Sequence, residues 1–215
     1  SREFYERGTR YLLLISTPVC VFSAVAASLI MWTWLGRDYE MIDETILLIQ
    51  IVVLGYYANL STGVATGIAV GMGRPDFEMK FGVLLGLLSV VLSVTLIQSL
   101  GFYGPAIAIT ISLTVSAVYF YRLFHQFLGR PLLPFLQALY SMPLAAGGIA
   151  GIVVFCVQLV VIPLVDPVSR FSTFSLLCGE GILFTVLYCM MILRTSYLDA
   201  YDRALFQRYM AKLRP

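Results

Sequence analysis

The sequence predicts an all-α integral membrane protein, a bundle of six transmembrane helices. Apolar residues make up 60% of the 215 positions and charged residues only 12%, about half the charged share of a soluble domain. The charges occur in short clusters between apolar runs of about twenty residues, the length that crosses a bilayer. Because lipid offers the backbone no hydrogen-bond partners, these runs are predicted to be helices. A membrane barrel would instead show short alternating segments.

The apolar runs divide the chain into a six-span bundle at 1–193 and a polar tail at 194–215. The predicted spans lie at residues 11–35, 45–72, 81–100, 102–121, 136–162 and 172–193. Six runs exclude a cleaved signal peptide as the explanation of the composition. The charged opening segment "SREFYERGTR" resembles an internal loop, so we expect the chain to be part of a longer protein.

Lysine and arginine are distributed unequally between the two sides of the predicted spans, and cytoplasmic loops are the side that they prefer. Two of the fourteen, Arg37 and Arg170, belong to one side. The other twelve belong to the opposite side: Arg2, Arg7, Arg10, Arg74, Lys80, Arg122, Arg130, Arg194, Arg203, Arg208, Lys212 and Arg214. This asymmetry predicts an even number of spans in the inner (cytoplasmic) membrane, with both termini of this chain in the cytoplasm.

The connection "SLGFYGPA" predicts an antiparallel hairpin of the third and fourth spans. Gly101 and Gly104 suit a turn, and Pro105 suits the first turn of the following helix. Pro18 and Pro143 lie inside spans, where proline kinks a helix or loosens a turn. Ordinary tolerance of proline in membrane helices is favoured here over a hinge.

The tail has helical periodicity. One side of the predicted helix carries Leu198, Tyr201, Leu205 and Tyr209, opposite a polar side. This pattern predicts an amphipathic helix on the inner membrane face, with a frayed tail as the alternative.

The sequence contains no recognisable catalytic motif. Gly71-x-Gly73 lacks a preceding strand, a third glycine and a following Lys-Ser or Lys-Thr pair, so it does not form a phosphate loop. His125 is expected to be solvated or interfacial in a cytoplasmic loop. The cysteines lack metal-ligand spacing and are expected to be buried apolar side chains; they are Cys20, Cys156, Cys178 and Cys189. We expect no enzyme activity, cofactor, metal or nucleic-acid partner.

A small-residue face lies near the end of the second span. Glycines recur every four residues, at Gly63, Gly67 and Gly71, and such a ridge lets another helix approach closely. Polar residues accompany the ridge at Asn59, Thr62 and Thr66. Packing against another helix is slightly favoured over the lining of a water-filled cavity.

Glu180 is the one charged residue well inside a predicted span. An isolated carboxylate in hydrocarbon is costly, so its side chain is expected to face the bundle interior or water. A proton, cation or polar-substrate site and a hydrogen-bonded structural glutamate are about equally supported.

Three segments together resemble the C-terminal part of an oligosaccharide or polysaccharide flippase of the O-antigen-transporter type, related to the MATE exporters and lipid II flippases. They are "RYLLLISTPVCVFSAVAASLIMWTWLGRDY" at 10–39, "TGVATGIAVGMGRPDFEMKFG" at 62–82 and "LGFYGPAIAITIS" at 100–112. Pro105 replaces a small residue that is usual in the family. The resemblance covers residues 5–128 well, whereas the last two spans match only by position.

The resemblance implies a two-lobe transporter of twelve to fourteen spans that moves a lipid-linked oligosaccharide by alternating access. Its implied partners are membrane lipid, the lipid-linked sugar and a remaining N-terminal transmembrane lobe. The alternatives are a cation-coupled exporter of small molecules from the same superfamily and a non-transporting scaffold subunit.

An anionic lipid pyrophosphate requires basic side chains, and no lysine or arginine lies within the spans proper. The cytoplasmic basic rim is therefore the place where this chain would attract a headgroup; it consists of Arg7, Arg10, Arg74, Arg122 and Arg130. For most of these residues, membrane topology alone is the favoured explanation.

Overall fold

A computed structural model describes residues 2–166, 169–195 and 197, and every regular element in those ranges is helical. The α-helices are α1 (Arg2–Val25), α2 (Ala27–Trp34), α3 (Ile42–Ser61), α4 (Gly63–Gly71), α5 (Asp76–Leu100), α6 (Gly104–Phe127), α7 (Leu132–Val165) and α8 (Arg170–Arg194). The opening segment continues into α1, so the prediction of a loop there is wrong. The predicted amphipathic tail lies outside the described residues apart from its first positions.

The chain is an all-α bundle with five to six long apolar helices. Five helical stretches are long and apolar enough to cross a membrane, by length and composition. One of them, Asp76–Phe127, contains α5 and α6 joined by the 3-10 turn Gly101–Tyr103. Apart from Phe77, α5 has no buried side chain, as expected for a helix that presents its surface to lipid. The division into six crossings stays a prediction.

Helices α5 and α6 pack side by side in opposite directions, which confirms the predicted hairpin. Phe81 lies against Phe120, and Phe77 lies against Phe127 nearer the open end. Pro105 occupies the first turn of α6, as predicted. At Gly104 an added Cβ would lie 2.6 Å from backbone atoms of Leu96, so the closeness of the two helices depends on this glycine.

Two long helical segments are interrupted, and neither break is at proline. Helix α1 runs through Pro18 and ends at Val25, where Ala26 separates it from α2. The side chain of Gln50 donates a hydrogen bond to the Ala24 carbonyl beside this break (3.0 Å). Helix α7 likewise runs through Pro143 and Pro163. Internal proline is thus tolerated, as favoured above, and the second break lies at Thr62 between α3 and α4.

The bundle has two ends that match the two groups of basic residues. At one end, the start of α1 meets the end of α6 and the start of α7, because Tyr5 lies against Phe124 and Phe135. An ion pair between Glu6 and Arg130 of the α6–α7 connection lies at the same end. At the other end, Arg37 pairs with Asp166 at 2.8 Å. The Arg170 guanidinium donates to the Leu35 carbonyl there. Which end faces the cytoplasm stays a prediction from the charge asymmetry.

The cysteine prediction is correct for one residue of four. Cys20 is buried, whereas Cys156, Cys178 and Cys189 are exposed on the outer surface of the helices. An apolar run contains residues of both the packed and the outer helix face, so a position in such a run does not by itself predict burial.

Candidate functional site: a polar cleft at a helix break

The break between α3 and α4 is stabilised by hydroxyl groups. The backbone N–H and the hydroxyl of Thr62 both donate to the Asn59 carbonyl, at 3.0 and 2.8 Å. Ser61 donates its hydroxyl to the Ala58 carbonyl. Tyr121 of α6 donates to the Ser61 carbonyl at 2.5 Å. Hydroxyls that bond back to carbonyls compete with the helical pattern, which explains why the helix is interrupted at this Ser-Thr pair.

A cleft of about 270 Å³ opens beside the break. It brings together Asn59, Thr62 and Thr66, three of the four residues predicted to lie on a substrate or ion path. They fall on one face because the helical offset is retained across the break, where the Thr66 N–H still donates to the Thr62 carbonyl. Gly63 lies in the same wall and leaves the space between them open.

The opposite wall of this cleft comes from the α5–α6 hairpin. It consists of Glu78, Phe81 and Phe120. Glu78, in the first turn of α5, is not among the predicted site residues, because only the basic residues of this segment entered the prediction of topology. Its position one helical turn before Phe81, on a face shared with an aromatic residue, was the available signal. The described lining contains an amide, hydroxyls, a carboxylate and aromatic rings, with no lysine or arginine.

In the described part of the chain, the predicted glycine ridge approaches another helix only at its first member, Gly63. At Gly67 and Gly71 an added Cβ would meet nothing within 4 Å, and at Gly63 it would meet only Leu12, at 3.7 Å. The buried face of α4 is instead formed by Ala65 and Ala69, each 1% exposed. Packing of the ridge against another helix therefore stays a prediction for Gly67 and Gly71, whereas the polar positions beside the ridge line a cleft.

Glu180 lies at a different place, between α7 and α8. Its side chain is 5% exposed, in line with the expectation that a carboxylate in this span faces inward. Gln158 of α7 donates its amide to Glu180 Oε2 at 2.6 Å. Oε1 is buried without a hydrogen-bond partner in the described residues. The structure thus separates Glu180 from the three polar residues with which it was grouped.

Three of the five rim arginines lie close together, because Arg130 shares one cleft with Arg10 and another with Arg122. The other two, Arg7 and Arg74, lie beside acidic residues of their own. Arg74 is bound by Asp76 through two hydrogen bonds, at 2.8 and 3.1 Å. Arg10 lies over the Tyr197 ring, 5.4 Å from its centroid. Burial raises the pKa of the Tyr197 phenol, whose hydroxyl donates to the Leu139 carbonyl.

The remaining arginines of the basic rim have different surroundings. Arg7 lies 4.0 Å from Glu3. Arg122 and Arg130 meet in one cleft between α6 and α7.

His125 is the clearest correction among the site residues. It lies in the last turns of α6, not in a loop, and is 2% exposed. Its Nε2 shares a hydrogen bond with the Tyr5 hydroxyl at 3.1 Å, and the Phe135 ring lies 4.7 Å away. The aromatic residues of the opening segment and of the α6–α7 connection were the signal, because they form a cage around the imidazole. The described residues contain no group of side chains suited to a metal ion.

Comparisons of the chain with protein-family models, with curated proteins and with solved structures found no match. The resemblance to flippases therefore depends on the three sequence segments, and the function that it implies is a matter for proposal.

Proposed function

We propose that this chain is part of a membrane transporter that moves a lipid-linked oligosaccharide across the cytoplasmic membrane by alternating access. Six crossings follow if α5 and α6 each span the bilayer and the other four long stretches span it once. The observation that most supports this proposal is the polar cleft at the α3–α4 break. Interrupted helices supply the substrate sites of many transporters, and irregular backbone at membrane depth is tolerated where it lines a cavity or is buried in protein.

The chemistry of this cleft suits the sugar rather than the pyrophosphate of such a substrate. The Asn59 amide and the Thr66 hydroxyl can both donate and accept hydrogen bonds, as sugar hydroxyls do. Glu78 adds an acceptor, and the aromatic wall supplies apolar surface. Because no arginine or lysine is in the described lining, the anionic part of the substrate would bind at the basic end of the bundle or in the remaining lobe.

A second candidate, cation-coupled export of small molecules, is favoured by the Glu180–Gln158 pair. A buried carboxylate with one unpartnered oxygen in the described residues is a reasonable place for a proton or cation. In this case Glu180 would couple transport to an ion gradient. The scaffold alternative has no specific structural observation in its favour.

The test uses the complete transporter in liposomes that contain a fluorescent polyprenyl-pyrophosphate oligosaccharide. Translocation is followed as the fraction of sugar that becomes accessible to a membrane-impermeant oxidant. Asn59→Leu is expected to lower the initial rate about tenfold, which corresponds to about 1.4 kcal/mol of lost interaction. The matched control is Leu87→Ala, on the outer face of α5, where the side chain is 64% exposed.

The outcomes separate the three candidates. A wild-type rate in Asn59→Leu would remove the cleft from the sugar path. Cation-coupled export predicts instead that a proton or sodium gradient drives efflux of an organic cation and that Glu180→Gln abolishes this efflux while membrane insertion is intact. A scaffold predicts that the wild-type protein transports neither substrate.

A further inference from the structure

A second cleft, of about 550 Å³, lies between the end of α6 and the start of α7. Its shape depends on the turn that joins these helices. The Gly129 N–H donates to the Gln126 carbonyl, and the Arg130 N–H donates to the His125 carbonyl. With Gly129 at φ 66°, this is the Schellman arrangement that ends many helices. The turn fixes Arg130 directly against the last turn of α6.

The polar side of this α6–α7 cleft is basic. Arg122 and Gln126 are four residues apart on one exposed face of α6, and Arg130 completes the set. Arg130 is partly neutralised by Glu6, 3.5 Å away. Among the residues that the structure describes, Arg122 has no carboxylate partner. Two guanidinium groups that line one cleft repel each other unless an anion lies between them.

The start of α7 also favours an anion. Its first turn lies in the wall and has no side-chain cap, so the N–H groups of Leu132 and Leu133 carry the positive end of the helix dipole. The next residue, Pro134, has no N–H. His125, also in the lining, is 2% exposed, and its imidazole interacts with the backbone of Arg130 and Pro131, so it holds the turn beside the cleft.

The remaining wall of the cleft is apolar and open to the outside of the bundle. It is formed by Val118 of α6 and by Leu132, Leu133 and Leu136 of α7. Leu133 is 65% exposed and Val118 46% exposed. A free phosphate ion gains nothing from contact with an apolar surface, whereas an acyl chain buries apolar area against it. Basic clefts between transmembrane helices at the cytoplasmic side are typical binding places for anionic lipid headgroups.

We propose that the α6–α7 cleft binds an anionic phospholipid of the bilayer. The phosphate lies between Arg122 and Arg130 beside the uncapped start of α7, and an acyl chain follows Leu133 and Val118. This lipid is a bound constituent of the folded protein and not the transported substrate, so the inference does not depend on the proposed function.

The experiment measures lipid binding to the complete purified protein by native mass spectrometry and by thermal unfolding. Phosphatidylglycerol is titrated in mixed micelles, with phosphatidylcholine as the uncharged lipid. Arg122→Gln is expected to weaken phosphatidylglycerol binding about fivefold, the effect of one basic residue near a membrane surface. It is also expected to lower the lipid-dependent rise in unfolding temperature. Arg122→Lys keeps the charge and should retain most of both effects.

Arg37→Gln, at the opposite end of the bundle, is the matched control and should leave phosphatidylglycerol binding at the wild-type level. Leu133→Asn should weaken lipid binding while Arg122 remains. Inorganic phosphate at millimolar concentration should not displace the lipid. Equal losses in Arg122→Gln and Arg37→Gln would overturn the proposal, because they would indicate a general charge effect. Displacement by phosphate, or unchanged binding in Arg122→Gln, would also overturn it.

Discussion

Two rows of glycines in this chain have the same four-residue spacing, but one row packs closely against another helix and the other row has no neighbouring atoms. Gly147 and Gly151 of α7 face α1, where an added Cβ would lie 3.3 Å from Thr17 Cγ2 and 3.1 Å from Val21 Cγ1, respectively. Gly67 and Gly71 of α4 face no atom within 4 Å. The four-residue spacing therefore indicates a narrow face, and the partner helix has to be found separately.

The difference comes from the small residues next to the glycines in each helix. In α7 the positions that precede the glycines, Ala146 and Ala150, are themselves fully buried, so one continuous small face meets α1. In α4, Ala65 and Ala69 lie on nearly the opposite side from the glycines, and the alanine side is the buried one. A stretch of small residues has two candidate faces, and the larger aromatic cluster around Phe120 and Phe124 determines which is used.

Gly55 of α3 should be more sensitive than the four glycines compared above. An added Cβ would lie 2.7 Å from Thr110 Cα and 3.2 Å from the Thr110 carbonyl oxygen, and backbone atoms cannot rotate away. Gly55→Ala is expected to destabilise the protein by about 3 kcal/mol, the upper range for overpacking. The measurement is the unfolding temperature and the monodisperse yield in detergent. Gly86→Ala on α5, with nothing within 4 Å, is the control; equal stability of both variants would contradict the tight α3–α6 crossing.

Gly151→Ala should have an intermediate effect, because its neighbours are side chains that can move. The new methyl group would meet Val21 and Val25 at 3.1 and 3.3 Å, and we expect a loss of about 1 kcal/mol. The double variant with Val21→Ala should recover part of that stability, since it removes the nearer contact. A double-mutant cycle measured by thermal unfolding tests this coupling. Strictly additive losses would mean that α1 and α7 do not meet at this seam.

The fold was more predictable than the site. Apolar runs and charge clusters predicted the helices and the α5–α6 hairpin, because burial in lipid depends on composition over many residues. The position of Asn59, Thr62 and Thr66 on one face was also readable, since helical spacing determines it. The wall contributed by Glu78 and the burial of His125 against Tyr5 could not be predicted in this way. Both depend on contacts between residues far apart in the chain.

Gly67 should be the least sensitive position. With no atom within 4 Å, Gly67→Ala is expected to leave the unfolding temperature unchanged or to raise stability by up to about 1 kcal/mol through helix propensity. Gly67→Leu in the complete protein is the sharper variant, because a large side chain is tolerated only if no other part of the protein lies against this face. We expect normal yield and stability for Gly67→Leu. Gly151→Leu is the matched variant, and we expect it to lower the yield of folded protein. A loss of folded protein in Gly67→Leu would mean that a segment outside the described residues covers the ridge. The packing role of the Gly63, Gly67 and Gly71 face would then be confirmed, with its partner in another part of the protein.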